Sequence, residues 1–374
     1  MSWQLIESDA DMAELLVKGA DADVVVVDTE FMRRNTFFPQ VALVQLCFVS
    51  GEAAGTAWLI DPLAIKDPQP LATLLTNPSV IKVFHSASED LEVFQQWLGV
   101  LPDPLFDTQR AAALVDLGFG LGYRALVQTI CDVDLPKGET RSDWLQRPLT
   151  QSQCEYAAQD VIWLVKVYQH LLPLCHNKER FNWVLQDGAD ATGSLASNSN
   201  EYYKRIKSAW KLDSRQLALL IAVCDWRERT ARLKDKPRSW IIDDKACLQL
   251  AQENPQDYAD LKARVEMPPP ALRRYGSSLL ELLEGQGGLP QDGLPQRLPG
   301  PLDAGQRKQI KSLKQAARAI AGDLGPEVLL QAKDYEALLR ESNGQGDSEP
   351  RHWRGWRLER VITPLRGLLA SGEL

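Results

Sequence analysis

The chain has 374 residues, 44% hydrophobic and 25% charged, with a formal net charge of −8. It is too long for one ordinary compact core and holds no stretch of about 18 or more apolar residues, which excludes a membrane-spanning helix. Its six cysteines stand singly and its four histidines show no metal-ligand spacing, so disulfide frameworks and cysteine–zinc sites are excluded. Any metal chemistry must therefore use oxygen ligands, which favours Mg²⁺ or Mn²⁺. The acidic start, MSWQLIESDADMAELL, lacks the layout of a secretory signal, and a cytoplasmic protein is expected.

Charge is uneven along the chain. Residues 1–200 carry 13 Lys and Arg against 26 Asp and Glu, whereas residues 201–374 carry 29 against 24. An acidic front and a basic rear suit an enzyme whose rear grips a polyanion; equally, domains of one chain can simply differ in charge.

In chain order, Val24–Phe31 is a β-branched run expected to form a strand buried on both faces. Gln40–Val49, Thr56–Asp61 and Val80–His85 read as further strands. Ser86 with Glu89 fits a capping box opening the helix that holds Leu91, Phe94 and Leu98. Gly120–Cys131 reads as helix. Thr150 with Gln153 caps a longer helix, expected to end near Leu172 at Pro173. Residues 187–200, DGADATGSLASNSN, are small and polar and read as a linker. After Asp213, which with Gln216 caps another helix, the strand signal disappears. The Gly- and Pro-dense stretch 285–301 marks a second boundary before a last helical block. The pattern predicts an α/β domain of mixed sheet and flanking helices, followed by two small all-α domains.

Three features carry chemistry. Asp28 and Glu30, two apart at the end of the Val24–Val27 run, project to one face of a strand and could hold one hard cation or help bridge two. D-x-E alone is weak: Asp90/Glu92, Asp334/Glu336 and Asp347/Glu349 repeat it, and about one or two would arise by chance. Only the first directly follows a buried strand, where charge is costly unless something binds it. Asp90 falls in the first turns of a helix, where a carboxylate also suits the helix dipole. His85 before it reads as a packed or hydrogen-bonded residue. Tyr156 and Asp160 stand one turn apart on a helix whose neighbours Ala157, Ala158, Val161 and Leu164 indicate burial.

Asp28-x-Glu30, Asp90 within HSASEDLEVF, and Tyr156-x3-Asp160 within YAAQDVIWL together resemble the DEDD exonucleases of the tyrosine branch, with the nearest likeness to the bacterial ribonuclease D family. PLFDTQRAAAL (104–114) and SDWLQRPLT (142–150) are similar to that family. PRSWIIDDKACLQLA (237–251) and YGSSLLELL (275–283) resemble the helicase-and-ribonuclease-D C-terminal (HRDC) domain.

The resemblance implies a ribonuclease H-like catalytic domain over 1–190, an HRDC-type domain over 208–288 and an HRDC-like domain over 300–374. It implies that Asp28, Glu30, Asp90 and Asp160 hold two divalent cations, Mg²⁺ or Mn²⁺, roughly 4 Å apart. Tyr156 would orient the attacking water; with a free phenol pKa near 10 it is a poor proton acceptor. The implied reaction is 3′→5′ hydrolysis of RNA from a free 3′-hydroxyl, releasing nucleoside 5′-monophosphates, with precursor tRNA as substrate and no obligatory protein partner. A DNA exonuclease of the same chemistry and a non-catalytic RNA-binding protein are the competing readings.

On the expected helix 304–321, Arg307, Lys311, Lys314 and Arg318 share one face, opposite Ile310, Leu313 and Ile320. Such a stripe can neutralise phosphates, or be a solvated face. In RHWRGWR (351–357), Trp353 and Trp356 read as core anchors or as stacking platforms for unpaired bases.

Overall fold

The structure, a computed structural model, describes residues 2–136, 138–139, 141–196, 201–286, 290–344 and 349–373. Residues 347–348 of the Asp347/Glu349 triplet, residues 197–200 of the expected linker and residues 287–289 of the second boundary lie outside the described residues. Two compact units emerge, one of Met1–Met32, Pro39–Ser197 and Asp303–Leu374, the other of Arg33–Phe38 and Asn198–Leu302.

The first unit is built on six strands: β1 (Ser2–Ile6), β2 (Val24–Met32), β3 (Gln40–Phe48), β4 (Thr56–Ile60), β5 (Ile81–Phe84) and β6 (Leu105–Asp107). Their order is β1-β4-β3-β2-β5-β6. The pairings β1–β4, β2–β5 and β5–β6 are parallel, while β2–β3 and β3–β4 are antiparallel. β2 lies inside the sheet, and its Val24–Val27 run is buried throughout because neighbouring strands and packed side chains surround it. The sheet is therefore mixed and flanked by helices, as expected.

Its helices are α1 (Asp9–Lys18), α2 (Gln69–Thr76), α3 (Ser88–Leu98), α4 (Thr108–Leu114), α5 (Tyr123–Cys131), α6 (Gln151–Asn177) and α7 (Phe181–Ala196). α6 runs against β1, β2, β3 and β4, and α3 touches β2 and β3. The Thr150–Gln153 capping box forms as expected.

Three local expectations fail. The α6 helix continues through Pro173 to Asn177, because Pro173 sits on the exposed side while Leu171 and Cys175 stay buried. Tertiary packing there outweighs one lost helical hydrogen bond. Ser86 caps nothing: α3 begins at Ser88 behind Ala87, without a side-chain cap, and Ser86 has φ 59°. Residues 187–196 are the second half of helix α7 rather than linker. Their small side chains serve close packing, since a Cβ on Gly188 would lie 2.3 Å from the Leu105 carbonyl oxygen.

The last block of this unit comprises α8 (Ala304–Ile320), α9 (Pro326–Leu329), α10 (Ala332–Ser342), α11 (Gly355–Arg357), a π-helical turn (Leu358–Ile362) and α12 (Thr363–Ser371). Buried Arg357 and the partly exposed Arg110 both bond the Asp187 carboxylate of α7, and the Trp356 indole donates to it at 3.2 Å. Trp356 stacks on Trp183 at 4.7 Å, and Trp353 is 1% exposed. Both tryptophans are core anchors.

The second unit is helical: α13 (Ser214–Lys234), α14 (Arg238–Ile241), α15 (Asp244–Glu253), α16 (Tyr258–Arg264) and α17 (Pro269–Gln286). Asp213 and Gln216 form the expected capping box, and Leu217, Leu220 and Cys224 are buried. Residues 33–38 belong here too: the backbone N–H groups of Phe37 and Phe38 donate to Asp235 at 2.9 and 3.0 Å.

Candidate active site

Strand alternation puts Asp28 and Glu30 on one face of β2, and α6 brings Asp160 to them from more than a hundred residues away. One carboxylate oxygen from each of the three lies within 4.8 Å of the others. Unit charges about 4 Å apart at an effective dielectric of about 20 repel by roughly 4 kcal/mol. Holding all three ionised without a cation is therefore strongly opposed, and protons or a cation must neutralise them.

The electrostatics carry that signature. Burial, then the Asp160 charge, push the Asp28 carboxyl well above the usual range. Burial followed by the charges of Asp28, Asp160 and Asp90 raises Glu30 to about 10. Asp160 is raised to about 8 by burial. Among the described residues, no arginine or lysine is a principal influence on these three carboxyls. Gln45, the register partner of Asp28 on β3, is fully buried, and its side-chain nitrogen and oxygen have no partner among the described residues.

Asp90, in the first turn of α3, stands beside this trio rather than within it. The Thr29 hydroxyl donates to one of its carboxylate oxygens at 2.5 Å. Burial and then the Asp28 charge raise its pKa, opposed by the Thr29 bond. It is thus an electrostatic neighbour of the three, buried to 7% exposure.

Tyr156 lies one turn before Asp160 on α6, and burial followed by the charges of Asp160, Glu30 and Asp28 raises its pKa. The raised pKa keeps the phenol neutral near neutral pH. Trp144 packs 6.1 Å from its ring, and a Cβ on Gly138 would meet ring atom Cδ2 at 2.2 Å. Only glycine lets the backbone approach so closely.

Two supporting residues are not marked by any motif in the sequence. Thr29 sits inside the D-x-E triplet, and its alternation to the opposite face was the available signal. Tyr123 has its hydroxyl 2.9 and 2.7 Å from the carbonyls of Gln159 and Asp160, steadying α6 at the site. No sequence pattern pairs it with α6. Arg307, Lys311, Lys314 and Arg318 are elsewhere, all on the exposed face of α8, with Ile310 and Leu313 buried beneath and Ile320 partly so.

The acid donor set, lacking thiolate or imidazole, fits a hard divalent cation. A family model described as 3′-5′ exonuclease matches residues 3–175, and the HRDC domain model matches residues 216–283. Sheet and site together define a metal-using 3′→5′ exonuclease, a hydrolase of phosphodiester bonds.

Similarity to individual proteins extends over nearly the whole chain. It is 42% identical to ribonuclease D of Pseudomonas paraeruginosa, covering 98% of each, and 34% identical to that of Escherichia coli, covering 99% of each. The crystal structure of Escherichia coli RNase D, described as an exoribonuclease involved in structured RNA processing, superposes with a TM-score of 0.91 at 32% identity, covering 99% of both chains. The chain belongs to the ribonuclease D family and is a 3′→5′ exoribonuclease. Among the described residues no helix is long and apolar enough to cross a membrane.

Proposed function

We propose that the chain trims the 3′ ends of structured RNAs in the cytoplasm, precursor tRNA among them, without an obligatory protein partner. The observation that carries this reading is the convergence of Asp28, Glu30 and Asp160, whose oxygens lie within 4.8 Å of one another. Asp28, Glu30, Asp90 and Asp160 would hold two divalent cations, Mg²⁺ or Mn²⁺, in place of the protons that their raised pKa values otherwise retain. When bound, the ions lower the pKa of the attacking water and neutralise charge developing at the leaving 3′ oxygen. Tyr156, neutral beside Asp160, orients that water by hydrogen bonding. Nucleoside 5′-monophosphates are the products.

Residues 1–190 carry the chemistry in this reading, with 208–288 and 300–374 as two helical blocks that hold the RNA body. Support for the last comes from α8, where Arg307, Lys311, Lys314 and Arg318 present a basic stripe to solvent. The test is digestion of matched RNA and DNA oligonucleotides and of a 3′-extended tRNA by the purified chain. Faster shortening of RNA, pausing at the mature tRNA end, is expected. Preference for DNA would overturn the substrate, and requirement for an added protein would overturn the unaided action.

A further inference from the structure

The turn between β5 and α3 is held from one place. Asp107, at the end of β6, accepts backbone N–H bonds through Oδ1 from Ser86 at 3.1 Å, Gln109 at 2.8 Å and Arg110 at 3.3 Å. Its Oδ2 accepts from Ala87 at 3.1 Å. The next residue, Thr108, donates its hydroxyl to the Phe84 carbonyl at 3.0 Å, with the His85 ring nitrogen Nδ1 3.0 Å from the same hydroxyl. Two adjacent residues thus bond all four residues from Phe84 to Ala87. Asp90 follows three positions later.

A mere helix cap would bond only the start of its own helix, α4. Two of the four donors to Asp107 instead come from a turn twenty residues away in sequence. That turn contains Ser86 at φ 59°, a left-handed conformation that costs a non-glycine residue free energy and needs outside bonds to persist. The turn also sets the start of α3, where Leu91 donates to the Ala87 carbonyl at 2.9 Å. Rotating that start would swing Asp90 away from Thr29 and from the Asp28 side of the cluster.

We propose that Asp107 is a positioning residue for cation binding: by clamping Ser86 and Ala87 it fixes the first turn of α3 and aims the Asp90 carboxylate at the metal site. This deepens the proposed function and rests on Asp90 being one of the cation-holding residues. Asp107 itself need touch neither cation nor RNA.

Asp107→Asn separates the two jobs of the carboxylate. An amide oxygen at the Oδ1 position keeps Gln109, Arg110 and Ser86, while the NH₂ group then faces the Ala87 N–H, donor against donor. Calorimetric titration of chelator-stripped protein with MnCl₂ reads the result, alongside thermal melting. Wild type should bind Mn²⁺ saturably, and Asp90→Asn should lose one of the bound ions. Asp107→Asn should bind about 10- to 100-fold more weakly, the range for residues that orient metal ligands. Thr108→Val should act in the same direction, and Asp213→Ala, which removes a helix cap in the other unit, should leave Mn²⁺ affinity unchanged.

An Asp107→Asn protein that melts lower but binds Mn²⁺ as tightly as wild type would reduce Asp107 to a cap and overturn the proposal. So would unchanged binding with Thr108→Val, which serves as the second variant should Asp107→Asn not fold. Failure of wild type to bind Mn²⁺ would instead remove the metal reading of the cluster.

Discussion

Asp90 and Asp187 are buried almost equally, at 7% and 8% exposure, yet their pKa values move in opposite directions. Asp187 is met by Arg110 and Arg357, and these guanidinium bonds overcome burial and hold its carboxyl below the usual range. Asp90 has a neutral threonine on one oxygen and an aspartate nearby, so burial and the like charge hold it above that range. The first arrangement completes itself and builds structure. The second is incomplete in electrostatic terms, and in the proposed function a divalent cation completes it.

The sharpest way to break that contrast is Asp28→Asn. Cleavage in Mg²⁺ should fall by several orders of magnitude, on the order of 10³-fold or more, while RNA binding by gel shift persists. Near-normal turnover would remove Asp28 from the mechanism.

Tyr156→Phe keeps the ring packed against Trp144 and Gly138 but deletes the hydroxyl. A loss of about 10²-fold in kcat with little change in KM is expected from a mispositioned water. An equal fall at every pH between 6 and 9 should accompany it, because the raised phenol pKa keeps Tyr156 neutral across that window.

On the Asp187 side, Asp187→Asn leaves two arginines facing a neutral group in a buried setting. Thermal or urea unfolding should show a destabilisation of about 3–5 kcal/mol, with the Mn²⁺ affinity of whatever remains folded unchanged.

The two carboxylate environments also predict opposite pH dependences. Asp160, raised to about 8, binds its proton more tightly folded than unfolded. Its contribution to metal-free stability is thus present below about pH 4 and declines as pH climbs toward 8. Asp187, with a lowered pKa, contributes above the unfolded carboxylate range and loses that contribution on acidification. Added Mg²⁺ should accordingly raise the melting temperature more at pH 8 than at pH 5. A larger rise at pH 5 would contradict the proton–cation competition. The smallest effect belongs to the α8 stripe. Replacing Arg307, Lys311, Lys314 and Arg318 by Gln should raise KM at unchanged kcat and flatten the salt dependence of RNA binding by a log–log slope of about 3.

What could be read before folding was local and periodic. The Val24–Val27 run placed Asp28 and Glu30 at the end of a buried strand, and the Thr150–Gln153 box opened the helix that carries Tyr156 and Asp160. The failures share one cause, a partner far away in sequence. Ser86 with Glu89 has the letters of a capping box, but Asp107 commands the turn from β6. Residues 187–196 look loose because they are small, yet Gly188 is small so that α7 can lie against β6. Asp107 itself reads as an ordinary helix cap in LFDTQR, and nothing in that string announces its bonds to Ser86 and Ala87.

The most direct test of the cation-holding cluster follows a 5′-labelled RNA with an unpaired 3′ tail through time, with the purified chain in Mg²⁺ or in excess chelator. Stepwise loss of nucleotides from the 3′ end that stops with chelator and resumes when Mg²⁺ is restored is the predicted result. Shortening that proceeds equally in both would mean that these carboxylates work without the cations their geometry calls for.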